Sequence, residues 1–143
     1  MNDSFEIGYE RAINKNLEVY SNFNKSYRHR NFNDNFNLFS GEFIDLLDQE
    51  SKVINIGLLH NNGNINQRIS IFQIDTKNEI HLDPVSFANE NYPESRRHGI
   101  DYTYDYQSDR YSLKLNYLHL RAKFIQGIVN TDLVDKEVPL VPE

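Results

Sequence analysis

Residues 100–117 read I-D-Y-T-Y-D-Y-Q-S-D-R-Y-S-L-K-L-N-Y, an alternation of bulky and polar positions on both sides of Ser108-Asp109. Successive side chains of a strand point to opposite faces, so a hairpin turning at Ser108-Asp109 sets Tyr106 opposite Tyr111, Tyr104 opposite Leu113, Tyr102 opposite Leu115 and Ile100 opposite Tyr117. The other face is polar, with Asp105 opposite Ser112, Thr103 opposite Lys114 and Asp101 opposite Asn116. The same period of two runs through residues 53–59, where Ile54, Ile56 and Leu58 share a face, and Asn62-Gly63 then supplies the positive φ angles of a tight turn. The returning strand, 65–75, carries Ile65, Ile69 and Ile71 on one face but Phe72 and Ile74 on the other, a change of phase that reads as a bulge or as burial on both faces. A turn at 76–79 and a short strand at 80–82, ending at Asp83-Pro84, follow. Beyond Tyr117 the apolar positions move to Leu118, Leu120, Ala122 and Phe124; a bulge near Tyr117 restores the register. Strand is favoured for 117–130 over a helix, although Tyr117, Leu120, Phe124 and Ile128 also stand at helical spacing.

The N-terminal third carries a different pattern. Asp3 with Glu6 forms a capping box, and Phe5, Tyr9, Ile13, Leu17 and Tyr20 follow at intervals of three or four, which predicts an amphipathic helix. After Ser40, residues 41–49 set Phe43, Ile44, Leu46 and Leu47 against Glu42, Asp45 and Asp48, the pattern of a second helix. The predicted fold is therefore α+β: two N-terminal helices packed on an antiparallel sheet of about five or six hairpin-connected strands. One domain spans 1–143, with 1–50 mostly helical, 52–130 mostly sheet, and an extended tail at 131–143 carrying Pro139 and Pro142.

Charge narrows the partners. With 15 Lys+Arg against 21 Asp+Glu the net charge is -6, which disfavours nucleic acid and anionic membrane and points to a basic protein partner. The segment 22–37 interleaves Phe23, Tyr27, Phe32 and Phe36 with Lys25, Arg28, His29 and Arg30, as a single-strand nucleic-acid surface does; its acidic surroundings favour an irregular connection instead. Asparagine is frequent there and in 61–66, which reads as compositional bias. Absence of cysteine excludes disulfides and thiolate chemistry. The first residues have no leader pattern, and no apolar run approaches the roughly 20 residues of a spanning helix. A soluble cytoplasmic chain of bacterial or phage type, with no membrane partner, is expected.

Candidate chemistry is sparse. The five histidines are dispersed without ligand spacing, so no metal and no cofactor is expected; a site assembled from His60 or His81 with Asp83 and His119 is the alternative. The expected function is that of a small acidic, non-enzymatic protein-binding domain, an inhibitor or immunity protein for a basic partner such as a nuclease. Asp101, Asp105, Asp109, Arg110 and Lys114 are its partner-binding candidates. The alternative is an aromatic pocket between helices and sheet that binds a small ligand or runs simple acid–base chemistry, with Tyr102, Tyr104 and Tyr106 as its wall and Arg96, Arg97 and His98 at its mouth.

Overall fold

In the computed structural model the described residues are 3–37, 40–83, 87–126 and 135–138, and among them there is no helix. Six strands, β1 (Phe5–Ala12), β2 (Leu17–Arg28), β3 (Gln49–Asn62), β4 (Ile65–Lys77), β7 (Glu94–Gln107) and β8 (Ser112–Gln126), form one sheet in the order β1-β2-β3-β4-β7-β8. Every neighbouring pair is antiparallel. Two short strands, β5 (Ile80–Leu82) and β6 (Asn89–Asn91), pair with each other in the connection from β4 to β7. The tail expected at 131–143 lies outside the described residues except for 135–138, as do Pro84 and Ile128.

The predicted α+β fold is wrong at its N-terminal end, and the reason is specific. Phe5, Tyr9, Ile13 and Leu17 are four apart, and four is a multiple of two as well as one turn of a helix. Ile7 is also apolar, on the same face as Phe5 and Tyr9, which the helical reading left unused. The chain reverses at Asn14, whose side-chain oxygen accepts from the backbone N–H groups of Asn16 at 2.9 Å and Leu17 at 3.0 Å, so the expected first helix is a hairpin. The expected second helix is a loop. Gly41 there has φ +72°, and Phe43 bridges back to Phe36.

The tyrosine hairpin exists with its turn one residue later than expected. Ser108 N–H donates to the Tyr111 carbonyl at 2.8 Å and the Ser108 hydroxyl accepts from Tyr111 N–H at 3.1 Å, which closes the chain around Asp109-Arg110. Partners therefore move by two, to Tyr106–Leu113, Tyr104–Leu115, Tyr102–Tyr117 and Ile100–His119, and an even shift keeps every side chain on its face. No bulge occurs near Tyr117 or between Ile71 and Phe72; the irregularity in β8 pairing lies at Glu94/Ser95.

Pairing extends the face assignment across all six strands. One face carries Phe5, Ile7 and Tyr9, then Val19 and Phe23, then Ile54, Ile56 and Leu58, then Ile69 and Ile71, then Ile100, Tyr102 and Tyr104, and finally Leu113, Leu115 and Tyr117. Among the described residues nothing covers it: Ile7 is 64% exposed, Ile71 57% and Leu113 58%. The chain exposes 10543 Å², where a compact globular chain of this mass exposes about 7,700 Å². The opposite face is mostly polar, with Asn22, Asn24, Asn55, Ser70, Thr103, Asp105 and Asn116.

The apolar band crosses the strands obliquely. Pairing from Ile7, the middle of the band in β1, leads through Phe23, Ile54, Gln73 and His98 to Arg121, six residues along β8 from Leu115, the middle of the band there. That drift of about 1.2 residues per strand, at about 3.3 Å per residue and about 4.8 Å between strands, tilts the strands by about 40° from the perpendicular to the band.

Two glycines on the polar face let rings lie across the sheet. A Cβ on Gly57 would stand 2.6 Å from the Tyr20 ring, and one on Gly99 would overlap the His119 carbonyl oxygen and meet the tip of Phe72 at 3.0 Å. Each glycine is the direct cross-strand partner of its aromatic residue.

Candidate functional site

The ends of the sheet differ. At one end the connections are tight: Ala12 to Leu17, Asn62 to Ile65, and Gln107 to Ser112. At the other, residues 29–48 and 78–93 make two long connections.

Ion pairs and amides hold these long connections together. Arg28 at the end of β2 pairs with Asp34 at 3.1 Å, and within 29–48 Arg30 pairs with Asp45 at 2.9 Å and the His29 ring with Asp48 at 2.8 Å. The bond from His29, with the Arg30 backbone N–H behind it, holds the Asp48 carboxyl below its ordinary range. Asparagine side chains then join one connection to the other. Asn91 accepts from Leu47 N–H at 2.6 Å and donates to the Leu47 carbonyl at 3.1 Å, Asn89 donates to the Asp34 carbonyl at 3.0 Å, and Asn78 to the Asp48 carbonyl at 3.3 Å. Asn78 itself sits at φ +52°, a conformation asparagine tolerates better than most residues. These residues were missed in the sequence, where asparagine read as bias; Asn78, Asn89 and Asn91 lie outside the two Asn-rich segments and no local signal marks them.

Beneath the connections, side chains on the polar face form a small core. Phe124 and Ala122 pack with Val138 and Tyr92, and Tyr92 meets Phe124 edge-on at 5.5 Å and stacks on His81 at 4.4 Å. Burial there raises the Tyr92 phenol above its usual pKa. Beside it Arg97 grips both carboxylate oxygens of Glu79 at 2.8 and 2.9 Å and donates to Ser95 at 3.1 Å, and Ser95 donates to Glu79 at 3.1 Å. Replacing Glu79 by alanine should cost about 1–3 kcal/mol, because the half-buried guanidinium loses its bidentate partner; urea unfolding of the variant measures it.

The candidates read from the sequence divide between the two faces. Asp101 and Asp105 lie on the polar face, each with a cation: Arg68 at 3.6 Å from Asp101, Lys114 at 3.7 Å from Asp105. Asp105, Lys114 and Arg68 line a trough of about 630 Å³ with Asn66, Glu18 and Asn16 toward the tight-turn end, and Asp101 lies outside its lining. Asp109 and Arg110 stand in the turn itself, exposed. Arg97 faces the polar side, whereas Arg96, His98, Tyr102, Tyr104 and Tyr106 face the apolar side. Arg96 is held by Asp75 at 2.7 and 3.0 Å, and the Tyr102 hydroxyl donates to Gln67 at 3.2 Å. The three tyrosines therefore wall no pocket under helices. Among the described residues no three His, Asp or Glu side chains converge as a metal site would need.

A sheet with one uncovered apolar face, one wet polar face, strands tilted by about 40°, tight turns at one end and long connections at the other is a sector of a membrane β-barrel wall, in which strands tilt by roughly 35–45°. Residues 4–143 match the family model described as TonB dependent receptor-like, beta-barrel, and the chain belongs to that family. Its fold is shared with the copper transporter OprC (TM-score 0.75, 16% identity, 97% of this chain and 22% of that one). It is also similar to the siderophore receptor PirA from Pseudomonas aeruginosa (TM-score 0.66, 13% identity, 83% and 26%) and to the alcaligin outer membrane receptor FauA from Bordetella pertussis (TM-score 0.60, 21% identity, 82% and 22%). The chain thus spans about a quarter or less of the length of these structures. A sequence search of curated proteins returned no match.

Family membership overturns the expected function, partner and location. The family and these structural neighbours are outer-membrane β-barrel receptors, not cytoplasmic inhibitors, immunity proteins or enzyme domains. The expectations of a basic protein partner and of no membrane fall with them. The physical reason is that net charge counts the wet face and the connections, while the lipid-facing residues are spread singly along strands. A search for a continuous apolar run of helix length passes over such a pattern. No helix among the described residues is long and apolar enough to cross a membrane, a test to which strands are invisible.

Proposed function

We propose that these residues form part of the wall of an outer-membrane receptor that takes up a metal ion or metal chelate, with the apolar face on lipid and the polar face on the lumen. The oblique, uncovered apolar band is the observation that carries the membrane part of this reading. The ligand class rests on the likeness to structures named for copper, siderophore and alcaligin. Long connections belong on the cell exterior and tight turns in the periplasm, the usual arrangement of such barrels. Asp101, Asp105 and Lys114 then border the transport path, their ion pairs keeping a narrow polar wall from binding passing ions too firmly. Asp109 and Arg110 stand at the periplasmic rim.

The 143 residues contain no cysteine, so single cysteines report cleanly on each face. In membranes holding the protein that carries this chain, Ile56→Cys should resist a water-soluble maleimide and react with a membrane-partitioned one. Asn116→Cys, on the other face, should do the reverse. Equal labelling of both positions by the water-soluble reagent would refute the membrane reading.

A further inference from the structure

The apolar face is not a plain greasy surface. It holds a groove of about 530 Å³ whose floor is Ile54, Ile56, Ile71 and Ile100. At one end the groove closes on Gln73, His98, His119 and Arg121, all on that same outward face. Gly99, between His98 and Ile100, belongs to the lining as well.

The charges around that end are unequal. Arg96 is already occupied by Asp75, and Lys123 has Glu137 directly across from it on the adjoining segment. Arg121 is different: it is exposed, and no ion pair holds it among the described residues. A free guanidinium beside two imidazoles and an amide, at the head of an apolar trough, matches an amphiphile with an anionic head rather than a bare hydrocarbon. A lone ion would leave the isoleucine floor unused. A protein helix or a second copy of the chain would leave the guanidinium without a partner.

On the membrane reading above, we infer that this groove is a lipid site: an acyl chain lies along Ile54, Ile56, Ile71 and Ile100, and the phosphate of a lipid from the surrounding bilayer is held by Arg121 with His98 and His119. The phosphate belongs at the head of the groove because the apolar band has drifted toward the tight turns by the time it reaches β7 and β8. That places His98 and Arg121 beyond its edge on the long-connection side, at headgroup level.

Native mass spectrometry of the detergent-purified protein that carries this chain tests it, with dioleoylphosphatidylglycerol and dioleoylglycerol as probes. The phosphate-bearing lipid should be retained and the diacylglycerol lost. Arg121→Gln should lower retention about tenfold, the worth of one charge-assisted contact, while Arg110→Gln in the β7–β8 turn should leave it unchanged. Equal retention of the two lipids, or of the phospholipid by wild type and Arg121→Gln, would overturn the lipid site while leaving the membrane reading intact. So would a dimer that displaces lipid from this face. A protein that stays in solution without detergent would overturn both.

Discussion

Replacing Gly99 by valine should abolish the pairing of β7 with β8 and cost about 3 kcal/mol or more, read as loss of the folded form in guanidinium titrations from micelles. The clash is with backbone and cannot be relieved by a rotamer. A Cβ at Gly99 would overlap the carbonyl oxygen of His119 and press on the tip of the Phe72 ring. Either the strand moves away, breaking the ladder that joins Gly99 to Leu120, or Phe72 gives up its place across the glycine. Gly8→Ala is the matched control. Its Cβ would meet only the Ser21 carbonyl oxygen, at 4.0 Å, and stability should change by less than about 0.5 kcal/mol.

Ile71→Arg and Leu118→Arg should give opposite results although the two side chains are almost equally exposed, at 57% and 58%. Were the chain bathed in water on both faces, neither arginine would matter. Ile71 lies on the apolar face between Ile56 and Ile100, near the middle of the band, where a guanidinium facing lipid costs about 2–4 kcal/mol. Leu118 lies on the polar face opposite Asp101, so an arginine there meets water and a carboxylate, with an effect under about 0.5 kcal/mol. Unfolding free energies in lipid bilayers measure the contrast. Equal, small effects for both would count against a lipid-facing surface.

The shifts of hydrophobic phase show how a correct observation acquired the wrong meaning. In β4 the apolar positions cross faces between Ile71 and Phe72, and in β8 between Tyr117 and Leu118. In β8 the shift read as a bulge and in β4 as a bulge or as burial on both faces, because a strand with a single buried face keeps its parity. Both strands pair without interruption at those points. The apolar side changes because the environment does. Toward the tight turns the outer face meets lipid, and toward the long connections the inner face is covered, with Phe124 and Ala122 under Val138 and Tyr92. In β8 the outward band ends at Tyr117 and the buried inward positions begin at Ala122, with the exposed Leu118 between them.

Among the candidate residues, legibility followed the range of the interaction. Asp105 and Lys114 were expected on one polar face of the hairpin, and the structure makes them direct cross-strand partners. The contacts from Arg97 to Glu79 and from Asn91 to Leu47 span connections whose path the sequence does not specify, so the latches between them were invisible. Arg121, the free cation of the proposed lipid site, drew no notice because nothing local distinguishes it from any surface arginine.

By itself the sequence determined the strands at 53–59, 65–75, 80–82 and 100–117, though not β6 or the start of β7 at 94–99, together with the Asn62-Gly63 turn and the separation of the tyrosine hairpin into an apolar and a polar face. These depend on period-two alternation and turn chemistry, which act over a few residues. The tertiary structure decided the rest. It resolved the fourfold spacing of Phe5, Tyr9, Ile13 and Leu17 as a hairpin rather than a helix, with Ile13 in the turn and β1 paired along its whole length with residues 18–25 of β2. It also decided which solvent each face meets. Alternation says only that two faces differ, and an apolar face is satisfied equally by a protein core or by lipid. Six strands in register, with the band running obliquely across them and none of the described residues packed upon it, leave lipid as the surface it fits.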